Sequence, residues 1–86
     1  MRHARSDALD RLEDMLIALR ALPALKEKSR GSFYRGGRGF IHFHEHGEAL
    51  FADMRGAEDF DRFEVTTPAA RRALLAEVRR RLKGAA

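Results

Sequence analysis

The stretch "RGGRGFIHFHEHGEALFADM", residues 35–54, constrains the fold more than any other part of the chain. His42, His44 and His46 occupy every second position of an apolar run, a period of two that belongs to a half-buried strand and not to a helix. Glycines punish a helix here, and Gly36-Gly37 suits a two-residue hairpin turn. His46-Gly47, between "FIHFH" and "ALFADM", offers a second turn. The expected core of the fold is therefore a three-stranded antiparallel meander.

Helical signals flank the meander. Residues 6–22 read as one helix, with Ser6 or Asp7 as its cap, Leu9, Leu12, Leu16 and Leu19 on one stripe, and Pro23 ending it. Thr67 as cap and Pro68 at the first helical position open a C-terminal helix that presents Leu74, Leu75, Val78 and Leu82 to the core and stops before Gly84. Between meander and helix, Phe63 to Thr66 read as a short fourth strand. The expected fold class is α+β: an N-terminal helix, an antiparallel meander of three or four strands and a C-terminal helix, in two layers, as one domain over residues 1–86. A chain of 86 residues has room for one core and no second lobe.

Composition removes whole function classes. The absence of cysteine excludes disulfides, thiolate nucleophiles and cysteine-ligated zinc or iron–sulfur clusters. The longest apolar run near the N-terminus, Leu16 to Leu19, is too short for a signal-peptide core or a membrane span, so the expectation is a cytoplasmic protein with no membrane partner. Serines stand only at 6, 29 and 32, none in a nucleophile-elbow context, so nucleophilic catalysis has no support and the balance leans against an enzyme.

Register assigns the faces. A tight turn at His46-Gly47 pairs Glu45 with Glu48, Phe43 with Leu50 and Ile41 with Ala52, and a turn at Gly36-Gly37 pairs Phe33 with Phe40 and Tyr34 with Gly39. One face then carries Tyr34, Ile41, Phe43, Leu50, Ala52 and Met54 and seats both helices. The other carries Phe33, Phe40, Phe51, Ala49, His42, His44 and Asp53, and any chemistry belongs there.

Two uses of that second face compete. Three phenylalanines would form an apolar patch on a sheet side that small two-layer domains leave polar, which points to a partner. A homodimer through Phe33, Phe40 and Phe51 is the leading expectation, with a flat aromatic ligand second. The function read from the sequence is accordingly a small binding or interaction module with its ligand unknown. The alternative is a histidine site. Residues i and i+2 of a strand lie about 6.6 Å apart, so His42 and His44 can converge on one zinc or other divalent ion, with Asp53, diagonal to His42, as third ligand. The same three residues can serve acid–base chemistry, since imidazole titrates near neutrality. His46 sits in the turn with no assigned role. No cofactor other than such a metal is implied.

Charge adds one more alternative. The net charge of +4 conceals blocks of about +4 over residues 24–40, about −5 over 41–64 and about +5 over 65–86. Arg71, Arg72, Arg79 and Arg80 could track nucleic-acid phosphates, but a solvated helix face that complements the helix dipole, with Glu77 pairing Arg80 or Arg81, explains them more simply. "RGGRG" lacks the spacing of a phosphate loop, and a hairpin turn accounts for it.

Taken together, "FYRGGRGFIHFHEHGEALFADM" and the later "RFEVTT" before a final helix resemble a small family of uncharacterised bacterial proteins. The pattern F-x-x-G-x-x-F-x-H-x-H followed by a glycine turn is also similar, more loosely, to the luciferase-like domain family. That resemblance implies a compact α+β module and carries over Gly37, Phe40, His42, His44 and Gly47, without assigning any of them a role.

Overall fold

The computed structural model describes residues 1–84. A two-residue strand, β1 (Arg2–His3), precedes two short helices, α1 (Ser6–Arg11) and α2 (Glu13–Arg20). Five strands follow: β2 (Lys26–Ser29), β3 (Ser32–Arg35), β4 (Arg38–His46), β5 (Ala49–Arg55) and β6 (Phe60–Glu64). Helix α3 (Pro68–Lys83) closes the described chain. The α+β class with an antiparallel sheet between N- and C-terminal helices is as expected, but among the described residues the sheet has six strands where three or four were expected.

Strands β2 to β6 form a meander in sequence order, every pair antiparallel. β1 joins the edge of β4 that β3 leaves free, pairing Arg2 with Glu45 and His3 with His44. All three helices cover one face. Leu9, Leu12, Leu16, Leu19, Leu74 and Val78 bury against Phe33, Ile41, Phe43, Leu50, Ala52 and Met54 in a single core. Among the described residues, no helix packs on the other face.

The first helical segment is broken at Leu12, whose φ of −99° and ψ of 7° leave the α region. Glu13 and Asp14 then stand in the first turn of α2, where carboxylates favour a new helix start. Arg5, not Ser6 or Asp7, is the N-cap of α1; its N–H donates to Glu45 Oε2 at 2.7 Å, so a side chain on the sheet supplies the missing acceptor. At α3 the expected cap is present, with Thr67 Oγ1 accepting from the Ala70 N–H at 3.1 Å.

The two hairpins departed from expectation in different ways. The β4–β5 turn uses Gly47 and Glu48, so His46 pairs with Ala49, Phe43 with Ala52 and His42 with Asp53. The only glycine of this turn takes its first position, with φ of 58°, as a Gly-X loop requires; a turn at His46-Gly47 would have asked a histidine for positive φ. A turn moved by one residue shifts every partner by two, so both strands keep their faces.

At the other hairpin Gly36-Gly37 forms the turn as expected, and Tyr34 pairs with Gly39. Beyond that pair the register shifts, and Phe33 lies opposite Ile41, not Phe40. This β-bulge inserts one residue into β4 and exchanges the faces of β3. Phe33, 1% exposed, and Phe40, 5% exposed, both enter the core, while Tyr34 moves to the other face beneath Lys28. The expected apolar patch of Phe33, Phe40 and Phe51 is thereby corrected: only half-buried Phe51 remains on that side. Burying the two rings with the helices removes more apolar surface from water than leaving them on an open sheet face.

Arg71 departs from the exposed basic helix face expected of it. It is 9% exposed, donates to Asp14 Oδ1 on α2 at 3.0 Å, and gives further hydrogen bonds to the carbonyls of Val65 at 2.9 Å and Thr66 at 3.0 Å. It ties α3 to α2 and to the chain leaving β6, and is not free to meet phosphates. Arg80 and Arg81 both pair with Glu77, whose carboxyl they pull down to about 2.

Candidate metal centre

The open face of the sheet gathers a polar cluster around Asp53. Alternation in β4 puts His42 and His44 on this face, and the register sets Asp53 of β5 directly opposite His42, where a diagonal position was expected. Asp53 Oδ2 lies 3.6 Å from His42 Nε2 and 3.2 Å from His44 Nε2. One ligating atom from each of the three residues falls within 4.8 Å of the others. With bonds of about 2.0–2.1 Å at tetrahedral angles, neighbouring donors of a zinc ion stand about 3.3 Å apart. These two separations bracket that value.

One atom of the cluster is unsatisfied. His44 Nε2 is buried and has no hydrogen-bond partner among the described residues, although Asp53 Oδ2 lies 3.2 Å away. Buried polar nitrogen without a partner is costly and rare in folded chains. A cation among the three donors would give that nitrogen a bond and turn the close approach of Oδ2 into shared ligation.

Burial and neighbouring charge set the protonation of the cluster. Burial lowers the pKa of His42, with His44 adding to the effect and Asp53 opposing it. Burial likewise lowers His44 against the raising influence of Asp53. Both imidazoles are therefore biased toward the neutral form that a metal needs. The rings beside His42 are Phe60, edge-on at 5.0 Å between centroids, His44, also at 5.0 Å, and His3 at 5.9 Å. Phe40, the neighbour expected from the sequence, is on the core side.

Asp53 is 6% exposed, and its carboxyl is held below the ordinary range chiefly by hydrogen bonds from Arg62. Arg62 donates from Nε to Oδ1 at 2.7 Å and from a terminal nitrogen to Oδ2 at 2.8 Å. The carboxylate is thus ionised and oriented, and shares Oδ2 between the guanidinium and the histidines.

Two members of the cluster were not foreseen. Arg62 reaches it because β6 begins at Phe60, earlier than the Phe63 start expected, so Phe60, Arg62 and Glu64 share the open face; alternation from Phe60 was the available signal. His3 arrives through β1, whose pairing places it opposite His44, and its ring stacks on His44 at 4.5 Å between centroids. A two-residue strand leaves no periodicity to read. Of the other expected site residues, Phe51 lies opposite His44 on the same face, and Phe33 and Phe40 are core.

In comparisons with known proteins, the chain matches no family model, no curated protein and no solved structure.

Proposed function

We propose that the protein is a small metal-binding module that holds one divalent ion of the zinc class through His42, His44 and Asp53. The observation that carries this reading is the buried, unpartnered Nε2 of His44, 3.2 Å from a carboxylate oxygen already shared with His42. Two imidazoles and a carboxylate suit zinc, and with open positions the same donor set also suits iron(II). Arg62 orients the carboxylate, donating to Oδ1 at 2.7 Å and to Oδ2 at 2.8 Å, so that Oδ2 is shared between the guanidinium and the histidine side of the cluster.

Self-association through the aromatic face, the leading expectation from the sequence, has lost two of its three rings to the core. Metal analysis of protein purified without a histidine tag tests the proposal. One equivalent of metal per chain, or a rise in melting temperature on adding zinc that His44→Ala abolishes, is the expected result. Metal-free protein whose melting temperature ignores zinc, nickel and iron(II) rejects it.

A further inference from the structure

Away from the histidine cluster, five arginines line a half-open cleft of about 570 Å³ at the end of the sheet: Arg35 and Arg38 from the β3–β4 hairpin, Arg55 at the end of β5, and Arg80 and Arg81 from the last turns of α3. Its size falls within the range of small-ligand pockets. Among the described residues, two carboxylates answer these charges. Arg81 lies 3.0 Å from Asp61 and 2.8 Å from Glu77, and Arg80 also pairs with Glu77.

The remaining three have no carboxylate partner among the described residues. Arg35 gives one hydrogen bond to the Leu82 carbonyl at 3.3 Å, a contact that serves the end of the helix. Arg55 donates from Nε to the Gly39 carbonyl at 2.6 Å and lays its guanidinium over Phe60, which keeps that side chain in place. Arg38 is exposed and makes no hydrogen bond to another described side chain or carbonyl. Helix-dipole complementation accounts for arginines on α3 but not for Arg38 or Arg55, which come from the sheet.

We infer that this cleft binds a compact phosphorylated ligand carrying at least two negative charges, with a pyrophosphate group as the recognised element. Guanidinium forks match phosphate oxygens in pairs, and three uncompensated positive charges around one opening repel each other until an anion enters. Enclosure by the hairpin on one side and α3 on the other suits a short polyphosphate better than a duplex, which needs an extended positive surface. Phosphate on a small molecule and phosphate in a single-stranded backbone offer the same chemistry, and the test separates them.

The experiment is calorimetric titration of the full chain at low ionic strength with inorganic pyrophosphate, orthophosphate and a short single-stranded RNA. Pyrophosphate is expected to bind more tightly than orthophosphate. Arg38→Glu should weaken it by about tenfold or more, the equivalent of one charge-assisted hydrogen bond lost. Arg72→Glu makes the same change of net charge on an exposed arginine outside the cleft, and should leave binding nearly unchanged. RNA that binds more tightly, is displaced by pyrophosphate and is lost in Arg38→Glu would assign the phosphate to a nucleic-acid backbone at the same site. The inference is overturned if none of the three probes binds, or if Arg72→Glu weakens binding as much as Arg38→Glu.

Discussion

Arg62 clasps Asp53 from the neighbouring strand, pairing with it in register and spanning both carboxylate oxygens at 2.7 and 2.8 Å. The clasp competes with a metal for Oδ2 and also adds a positive charge beside the ion. Arg62→Ala is therefore expected to tighten zinc binding, by about tenfold on electrostatic grounds. Asp53→Asn, which removes the charge but keeps the shape, should weaken it by at least as much. Competition titration with a zinc indicator measures both. A cluster that is merely structural predicts no zinc binding in either variant.

The histidines carry a pH dependence whose sign is determined. Burial lowers both His42 and His44 and outweighs Asp53, so in metal-free protein NMR titration should place both midpoints below about 6.5. Asp53→Asn should move them lower still, since the carboxylate is the group that raises them. A folded-state pKa below the unfolded one means that the unfolded chain binds more protons in between. The stabilising contribution is thus present above about 6.5 and is lost as pH falls through the folded midpoints. Stability that is flat across this window in metal-free protein would contradict the assignment.

Arg71 holds the two helical segments and the sheet exit together. Truncation to alanine leaves two carbonyls without their donor and Asp14 without its cation, at an expected cost of about 2–4 kcal/mol. Arg72→Ala on the exposed side of the same helix should change stability by less than about 0.5 kcal/mol. Urea denaturation of the two variants separates a buried tie from a generic basic face, since equal effects would mean that Arg71 is not acting as one.

The bulge in β4 is tested through the rings it redirects. Phe33→Ala should cost about 3–5 kcal/mol as a core cavity, whereas Phe51→Ala on the open face should cost about 1 kcal/mol or less. The reverse order would restore the unbulged register, with Phe33 on the open face.

Much of the architecture was legible in the sequence because it depends on local rules. Strand alternation committed His42 and His44 to one face and Ile41 and Phe43 to the other, whatever the turn. The turn itself lay one residue further on, yet partner shifts of two preserved both faces, and the same shift brought Asp53 opposite His42. Thr67, Pro68 and the leucine stripe of α3 were equally readable, since a cap, a pre-set φ and a period of 3.6 are properties of neighbours along the chain.

What tertiary structure decided depended on competition between distant groups. No local pattern marks the extra residue at Phe40 and Ile41; the bulge is favoured because it lets Phe33 and Phe40 join the helices in the core. Arg71 carries the same side chain as its exposed neighbour Arg72, and only Asp14, fifty-seven residues earlier, makes it a buried tie. His3 and Arg62 joined the histidine cluster through strand pairings that a two-residue strand and a misplaced strand start could not announce. The pair of histidines was therefore set by the sequence through the pleat of a single strand. The carboxylate beside them, the guanidinium that orients it and the nitrogen left without a partner were set by long-range register, because each contact joins residues that only the folded sheet brings together.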